Sequence, residues 1–429
     1  MGNELKSARS NARLRIGIAV VVAALLLGSG CASASDADAV ITLTISDWGN
    51  FGFKPLIRDY QRLHPKIRVV ERVEDLDEHH KALTTQLANG TGAADVVGID
   101  ESFIAQFRDR QGFANLMDFG ANDLKTRWLE WKWAQSLSVD GKVQIALGAD
   151  IGSLGVCYRR DLFAQAGLPV DRESVARLWP TWEAYIDLGR KFEAARTSAH
   201  WIDSADRMYD AALAQQETGY YDNAGNVVVA TNSGVRHAFD LALTLIAAGE
   251  SAKLRSNTAP WTAAMQTSKF ATMLCPAWGL GQIQQDAPDS RGKWDVTTVP
   301  GGGGNWSGSF LAVPRQSRHV REAYQLAAWL TAPEQQLSIF KETGNLPSQP
   351  VLYNDPALRD FRNEFLNNAP VGQIFGASAA ELRPQYVGPR AATIGTVIEN
   401  TLSRVETGEI PEKQAWAMTL SEVSASIAN

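Results

Sequence analysis

Ile41-Thr42-Leu43-Thr44-Ile45-Ser46 alternates apolar and polar side chains, the period of a strand with one buried face. It runs into Asp47-Trp48-Gly49-Asn50-Phe51-Gly52-Phe53, a turn that carries three aromatics. From Lys54 to His64 the apolar residues Leu56, Tyr60 and Leu63 fall at helical spacing, and Pro65 stops the pattern. Ile67 to Val73 reads as the next strand, and His79 to Ala88 as the next helix, with Gly90 as its stop. Ala94 to Ile99 is a short apolar strand that ends in Asp100-Glu101-Ser102. Strand, helix, strand, helix, strand defines an α/β unit on a parallel sheet. Ligands of such sheets bind beyond the carboxyl ends of the strands. Trp48, Asn50, Asp100 and Glu101 all stand at such ends.

Upstream of this unit, Lys6, Arg9, Arg13 and Arg15 form a basic region, and Ile16 to Leu27 an apolar run of signal-peptide length. The run is too short to span a bilayer as a mature helix. Leu26-Leu27-Gly28-Ser29-Gly30-Cys31, with the small polar residues that follow it, resembles a bacterial lipobox. Cys31 would then be the lipidated first residue of the mature protein, and residues 1–35 a signal peptide and tether. Gly28 departs from the small branched residue or alanine usual there. Export would place Cys157 and Cys275 in an oxidising compartment. Both sit in strand-like runs, and the sequence leaves pairing and two separate buried thiols equally open.

At 429 residues the chain has length for two or three domain-sized units. Its net charge of −6 and the lack of a basic block beyond the N-terminus argue against a nucleic-acid partner. The 13 tryptophans are many for this length. Downstream, Gln144 to Arg159 reads as two short extended pieces around a polar turn at Asp150. Trp128 to Trp133 reads as a short helix whose tryptophans could line a pocket but more commonly pack in a core or on a lobe surface. Helical signals follow near Asp161, over Trp182–Ala195 and over Val235–Ala248, the last with Ser233 as candidate cap. Phe270 to Leu274 is a strand with an exit loop through Trp278 to Gly281. A further strand from Lys293 ends at Pro300, followed by Gly301-Gly302-Gly303-Gly304-Asn305-Trp306-Ser307-Gly308-Ser309 and a strand from Phe310. Such a loop buries little by itself, so its expected use is to bring backbone N–H groups and an indole close to a ligand. Helices are expected over 321–330, 333–342, 393–406 and 412–427.

Common catalytic signatures are missing: there is no Gly-x-Ser-x-Gly, His-Glu-x-x-His or Gly-x-x-x-x-Gly-Lys-Ser/Thr. His79-His80 near a helix start reads as a solvated face and not as a metal site, and no metal or cofactor is expected. A glycosidase needs two carboxylates at a set separation. Asp100 and Glu101 are chain neighbours that point apart. Asp150 or Asp203 could join one of them in space, so a carbohydrate-active enzyme stays as a competing reading. What recurs is an aromatic beside polar or glycine residues: Trp48-Gly49-Asn50, Trp201-Ile202-Asp203, Trp278-Gly279 and Asn305-Trp306-Ser307. Indole planes match the C–H faces of a pyranose, and carboxylates and amides match its hydroxyl rim. A few charged hydrogen bonds of about 1.5–3 kcal/mol each, plus stacking, suffice for the roughly 8 kcal/mol of a micromolar complex.

The lipobox, Trp48-Gly49-Asn50-Phe51-Gly52, Asp150-Ile151-Gly152-Ser153-Leu154-Gly155-Val156-Cys157-Tyr158-Arg159, Cys275-Pro276-Ala277-Trp278 and Gly301 to Phe310 together resemble the extracellular solute-binding proteins of bacterial carbohydrate ABC importers. The resemblance is greatest to the actinobacterial cellobiose and cello-oligosaccharide branch and extends over nearly all of the mature chain. Ser153 and Ser307 stand where that branch has glycine. The resemblance implies a two-lobe α/β fold of the periplasmic-binding-protein, maltose-binding-protein type, with the ligand in the interlobe cleft. Lobe one would hold residues 36–148 and 310–350, and lobe two residues 149–309 and 351–429, with crossovers near Gly148–Gly152 and Ser307–Phe310. The implied protein is a monomeric, lipid-anchored, extracytoplasmic sugar receptor that catalyses nothing and serves a membrane permease. Expected stacking planes are Trp278 and Trp306, with Trp48 and Trp201 as further walls. Asn50, Asp100, Glu101, Asp150, Asp203, Ser307 and Arg390 are the expected polar contacts. Another disaccharide, a β-glucoside or a peptide is the alternative ligand.

Overall fold

The structure, a computed structural model, describes residues 39–108 and 111–428. Cys31 and the signal-like segment lie outside them. Among the described residues nine strands carry the fold: β1 (Ile41–Asp47), β2 (Ile67–Val73), β3 (Val96–Asp100), β4 (Ala146–Arg159), β5 (His200–Ile202), β6 (Phe270–Pro276), β7 (Trp294–Thr297), β8 (Asn305–Ala312) and β9 (Leu346–Pro347). β1 pairs in parallel with β2 and β3, as the opening pattern predicts. β3 then pairs antiparallel with β8, and β8 with the first half of β4. The second half of β4 pairs antiparallel with β6 and β7, while β5 lies parallel to β6.

One strand therefore serves two sheets. The expected turn at Asp150 does not form, and β4 is continuous over 14 residues. Its register against β8 shifts between Gly148 and Asp150 and again between Ile151 and Ser153. These bulges bend the strand without breaking it. At Gly152 the two backbones come so close that a Cβ would lie 1.9 Å from the Trp306 carbonyl oxygen, so only glycine fits.

Period-two burial explains both sheets. In β8, Leu311 packs with Leu43, Ile45 and Val96 on one face, while Phe310 and Ala312 pack with Val97 and Ile99 on the other. In the second sheet Leu154, Val156 and Tyr158 face an aromatic core, and Cys157 faces the opposite one with Met273 and Cys275. Cys157 and Cys275 lie on that face with Cα atoms 5.5 Å apart and are joined in a disulfide.

Three further local expectations are corrected. His79 and His80 are buried, not solvated. His79 contacts Ser46 Oγ and the Gly98 carbonyl, and His80 Nε2 accepts from the Asp100 N–H at 3.0 Å. Burial lowers the His80 pKa to about 3, so it sits neutral between a carbonyl and an amide. The cap of the helix Ser233–Ala247 is Asn232, whose side chain accepts from the Gly234 N–H. β8 starts at Asn305, not Phe310, because Asn305 already pairs with Ser153 of β4.

Candidate functional site

β6 ends close to where β8 begins, at Leu154 and Ser153 of β4, and each delivers one indole there. Trp278 follows Pro276 and opens the helix Gly279–Asp286, while Trp306 is the second residue of β8. Their ring centres are 5.4 Å apart at 58°, and Trp278 Nε1 donates to the Trp306 carbonyl at 3.3 Å. Both rings are half-buried. Together they form a corner open on one side, beside Ser256, Asn257 and Gln282.

The ends of β1 and β3 meet this corner. Asn50, at φ 59°, donates from Nδ2 to the Trp278 carbonyl at 3.4 Å. Ser307, at φ 62°, donates from Oγ to Asp100 Oδ2 at 2.6 Å. The other oxygen of Asp100 caps the helix Glu101–Phe107 through the Ser102 N–H and hydroxyl. Trp48 stands next to this group, half-buried against Phe51, His79 and His80. Asn50, Asp100, Trp278, Trp306 and Ser307 are thus brought into one neighbourhood, with Trp48 at its edge.

Glu101 and Asp150 are adjacent but turned inward. Glu101 accepts from Lys132 Nζ at 2.8 Å, Gln135 Nε2 at 3.1 Å and Asn305 Nδ2 at 2.9 Å. Lys132 is fully buried and also lies 3.9 Å from the centre of the Phe310 ring. Asp150 accepts from Ser309 Oγ. Burial raises the Asp150 pKa, and the Lys132 charge is the largest opposing influence. Asn305 also accepts from the Gly152 N–H at 2.9 Å, which ties the network to the shared strand. These carboxylates already have partners within the protein.

Trp201, Asp203 and Arg390 are elsewhere. Trp201 is wholly buried among Phe163, Trp179, Tyr185 and Phe192, so the expected wall is a core residue. Asp203 is buried and accepts from Trp261 Nε1 at 2.9 Å, and desolvation lifts its pKa to about 7. Arg390 is exposed at a helix start, its backbone N–H bonded to the Tyr221 hydroxyl. The four glycines also differ from expectation. All have positive φ, but the carbonyls of Gly302 and Gly303, with that of Pro300, turn inward to accept from the Gln215 amide, and the Gly304 carbonyl accepts from the Leu154 N–H. The loop is a packed turn that aims β8, not a cradle of N–H groups.

The sequence reading missed Arg207. Its guanidinium carbon lies 4.6 Å from the Trp306 ring centre, held by Asp206, Asp210 and Glu399. The signal lay in Asp206-Arg207, directly after the Trp201-Ile202-Asp203 motif that drew attention instead. Among the described residues no group of three His, Cys, Asp or Glu side chains could hold a metal.

Two sheets bridged by one strand, with tryptophans and polar side chains from both meeting at one seam, define the two-lobe α/β solute-binding fold. Residues 56–361 match the family model of the bacterial extracellular solute-binding proteins, and the chain belongs to that family. It is a family of binding proteins and not of enzymes. A crystal structure described as an extracellular solute-binding protein family 1 is 41% identical, covers 90% of this chain and 99% of its own, and superposes with a TM-score of 0.80. A binding protein from B. animalis subsp. lactis Bl-04, solved with β-1,6-galactobiose, has the same fold at 20% identity, with 91% and 98% coverage and a TM-score of 0.78. The arabinooligosaccharide-binding protein of Bacillus subtilis is 23% identical over 299 residues, 65% of this chain. That match spans 66% of the relative's own length, just under two thirds.

Proposed function

We propose that this chain captures a short oligosaccharide outside the cell and delivers it to an ABC permease. The observation that carries the reading is the Trp278–Trp306 corner, where two half-buried indoles meet beside uncharged polar side chains. Stacking on such planes, with Asn50, Asp100 and Ser307 as rim contacts, suits a pyranose better than a peptide. Residues 36–148 with 310–350 would move against 149–309 with 351–429, and a ligand bound by both would favour the closed arrangement. Cys31 would carry the lipid that holds the protein at the membrane.

Cellobiose is one candidate ligand. The relatives bind an arabino-oligosaccharide and a β-1,6-galactobiose by their descriptions, which supports another disaccharide better than it supports cellobiose. The test is a tryptophan-fluorescence titration with cellobiose, cellotriose, β-1,6-galactobiose and arabinotriose, on wild type and Trp306→Ala. One sugar is expected to bind the wild type in the micromolar range, and the variant at least about tenfold more weakly. No response to any sugar, with the variant indistinguishable from wild type, would refute the proposal. Sugar consumed without a permease would favour the enzyme reading. Mass spectrometry of the membrane-bound protein reports on a diacylglyceryl group at Cys31.

A further inference from the structure

Arg207 is a buried cation that the proposed role does not yet use. The residue is 6% exposed, and its guanidinium lies against Trp306 with 4.6 Å between the guanidinium carbon and the ring centre. One terminal nitrogen is 2.8 Å from Asp206 Oδ2 and 3.1 Å from Glu399 Oε2, and the other is 3.0 Å from Asp210 Oδ2. Asp206 and Asp210 belong to the helix Ala205–Ala214, and Glu399 to the helix Ala391–Glu406. Two separate elements therefore fix the guanidinium plane, and a planar fork held in this way keeps its orientation. Asp206 is itself held by the Ser204 hydroxyl.

An indole face covered by a guanidinium is closed to a sugar ring. We propose that Arg207 is a positioning residue that seals one face of Trp306, fixes the ring plane and leaves a single face for the ligand. The gap lined by both Trp278 and Trp306, narrower than a sugar ring in this structure, is bounded on its polar side by Ser256, Asn257 and Gln282. None of these carries a charge, and Gln282 Nε2 already donates to Asn257 Oδ1 at 2.9 Å. A ring admitted at this edge meets these amide and hydroxyl groups beside the rim contacts Asn50, Asp100 and Ser307, a setting that suits a neutral saccharide. This inference rests on the oligosaccharide reading and sharpens it to an uncharged saccharide stacked from one side.

The test is a double-mutant cycle with Arg207→Lys and Trp306→Leu, read in two ways. Lysine keeps the charge and loses the fork, so affinity for the best sugar is expected to fall about fivefold to tenfold. Trp306→Leu falls further, and the double variant is expected to match Trp306→Leu alone, because Arg207 acts through the ring. In protein labelled with 5-fluorotryptophan and free of sugar, the Trp306 19F resonance, identified by its loss in Trp306→Leu, is expected to shift and broaden in Arg207→Lys. Losses that multiply in the double variant would show that Arg207 touches the ligand itself and would overturn the proposal, as would an unmoved resonance with unchanged affinity. A moved resonance in a protein that binds no sugar would remove the oligosaccharide reading while leaving the ring-holding role supported. Glu399→Gln, which removes the one carboxylate that holds the guanidinium from the second helix, gives the same comparison should Arg207→Lys fail to fold.

Discussion

Replacing Lys132 by methionine isolates the buried charge network where β4 and β8 cross. Methionine keeps an unbranched stem but removes an ammonium that lies 2.8 Å from Glu101 Oε2 in a site with no solvent access. Glu101 keeps Gln135 and Asn305 as donors to one oxygen, while the other is left without its partner. Asp150 keeps only Ser309 among its side-chain donors. Removing one partner of a buried ion pair costs about 3–5 kcal/mol, and that is the loss expected at pH 7. The pH dependence follows from the direction of the Asp150 shift. Burial already raises its pKa, Lys132 opposes that rise, and without Lys132 the carboxyl moves higher still. A carboxyl raised on folding costs nothing while protonated in both states. Above its unfolded pKa it costs about 1.4 kcal/mol per pH unit, until the folded pKa is reached. Asp150 is raised in both proteins, so the extra deficit of the variant is smaller at pH 4.5 than at pH 7.0 and grows as pH rises past the raised wild-type value. Urea unfolding followed by circular dichroism at pH 4.5 and 7.0 measures both values. A loss below about 1 kcal/mol at pH 7, or an equal loss at the two pH values, would refute the assignment.

Three other outcomes are expected. Trp201→Ala should cost about 3–5 kcal/mol in urea unfolding, since a wholly buried indole is removed, yet leave the sugar affinity of the folded protein unchanged. Cys157→Ser should lower unfolding stability by up to about 5 kcal/mol, because the disulfide spans 118 residues and constrains the unfolded chain; equal urea midpoints with and without reductant would contradict this. His80, held neutral with its pKa lowered to about 3, contributes stability that is present above its unfolded value near 6.5 and lost as pH falls towards 3. His80→Gln should therefore flatten the slope of stability against pH between 6 and 4 by about 1.4 kcal/mol per unit, measured by denaturation at several pH values.

The first α/β unit was legible because its burial is periodic: Ile41 to Val73 gives strand, helix and strand within a residue of the observed bounds. The terminal helix Glu412–Ile427 was legible for the same reason. β4 was not, because Asp150 in mid-strand carries the signature of a turn, and only Lys132 and Ser309, from elsewhere in the chain, make its burial tolerable. Trp201 and Trp278 look alike in sequence, each an aromatic near a polar or glycine residue at a strand end. Their fates differ because the helix Trp182–Ala194 covers one, through Tyr185 and Phe192, and the other ring stays half-buried beside Trp306. Arg207 was hidden because an arginine inside an amphipathic helix reads as surface charge until its three acidic partners are seen together.

The placement of the disulfide has a mechanical consequence. Cys157 and Cys275 join neighbouring strands of one sheet, so the covalent bond never spans the seam between the two bodies. It clamps the lower part of β4 the way a vice grips the root of a leaf spring. If the two bodies move as proposed, flexure along that strand is taken up ahead of Leu154, in the bulged stretch that contains Gly152. Oxidation would stiffen the mount and leave the spring free to bend.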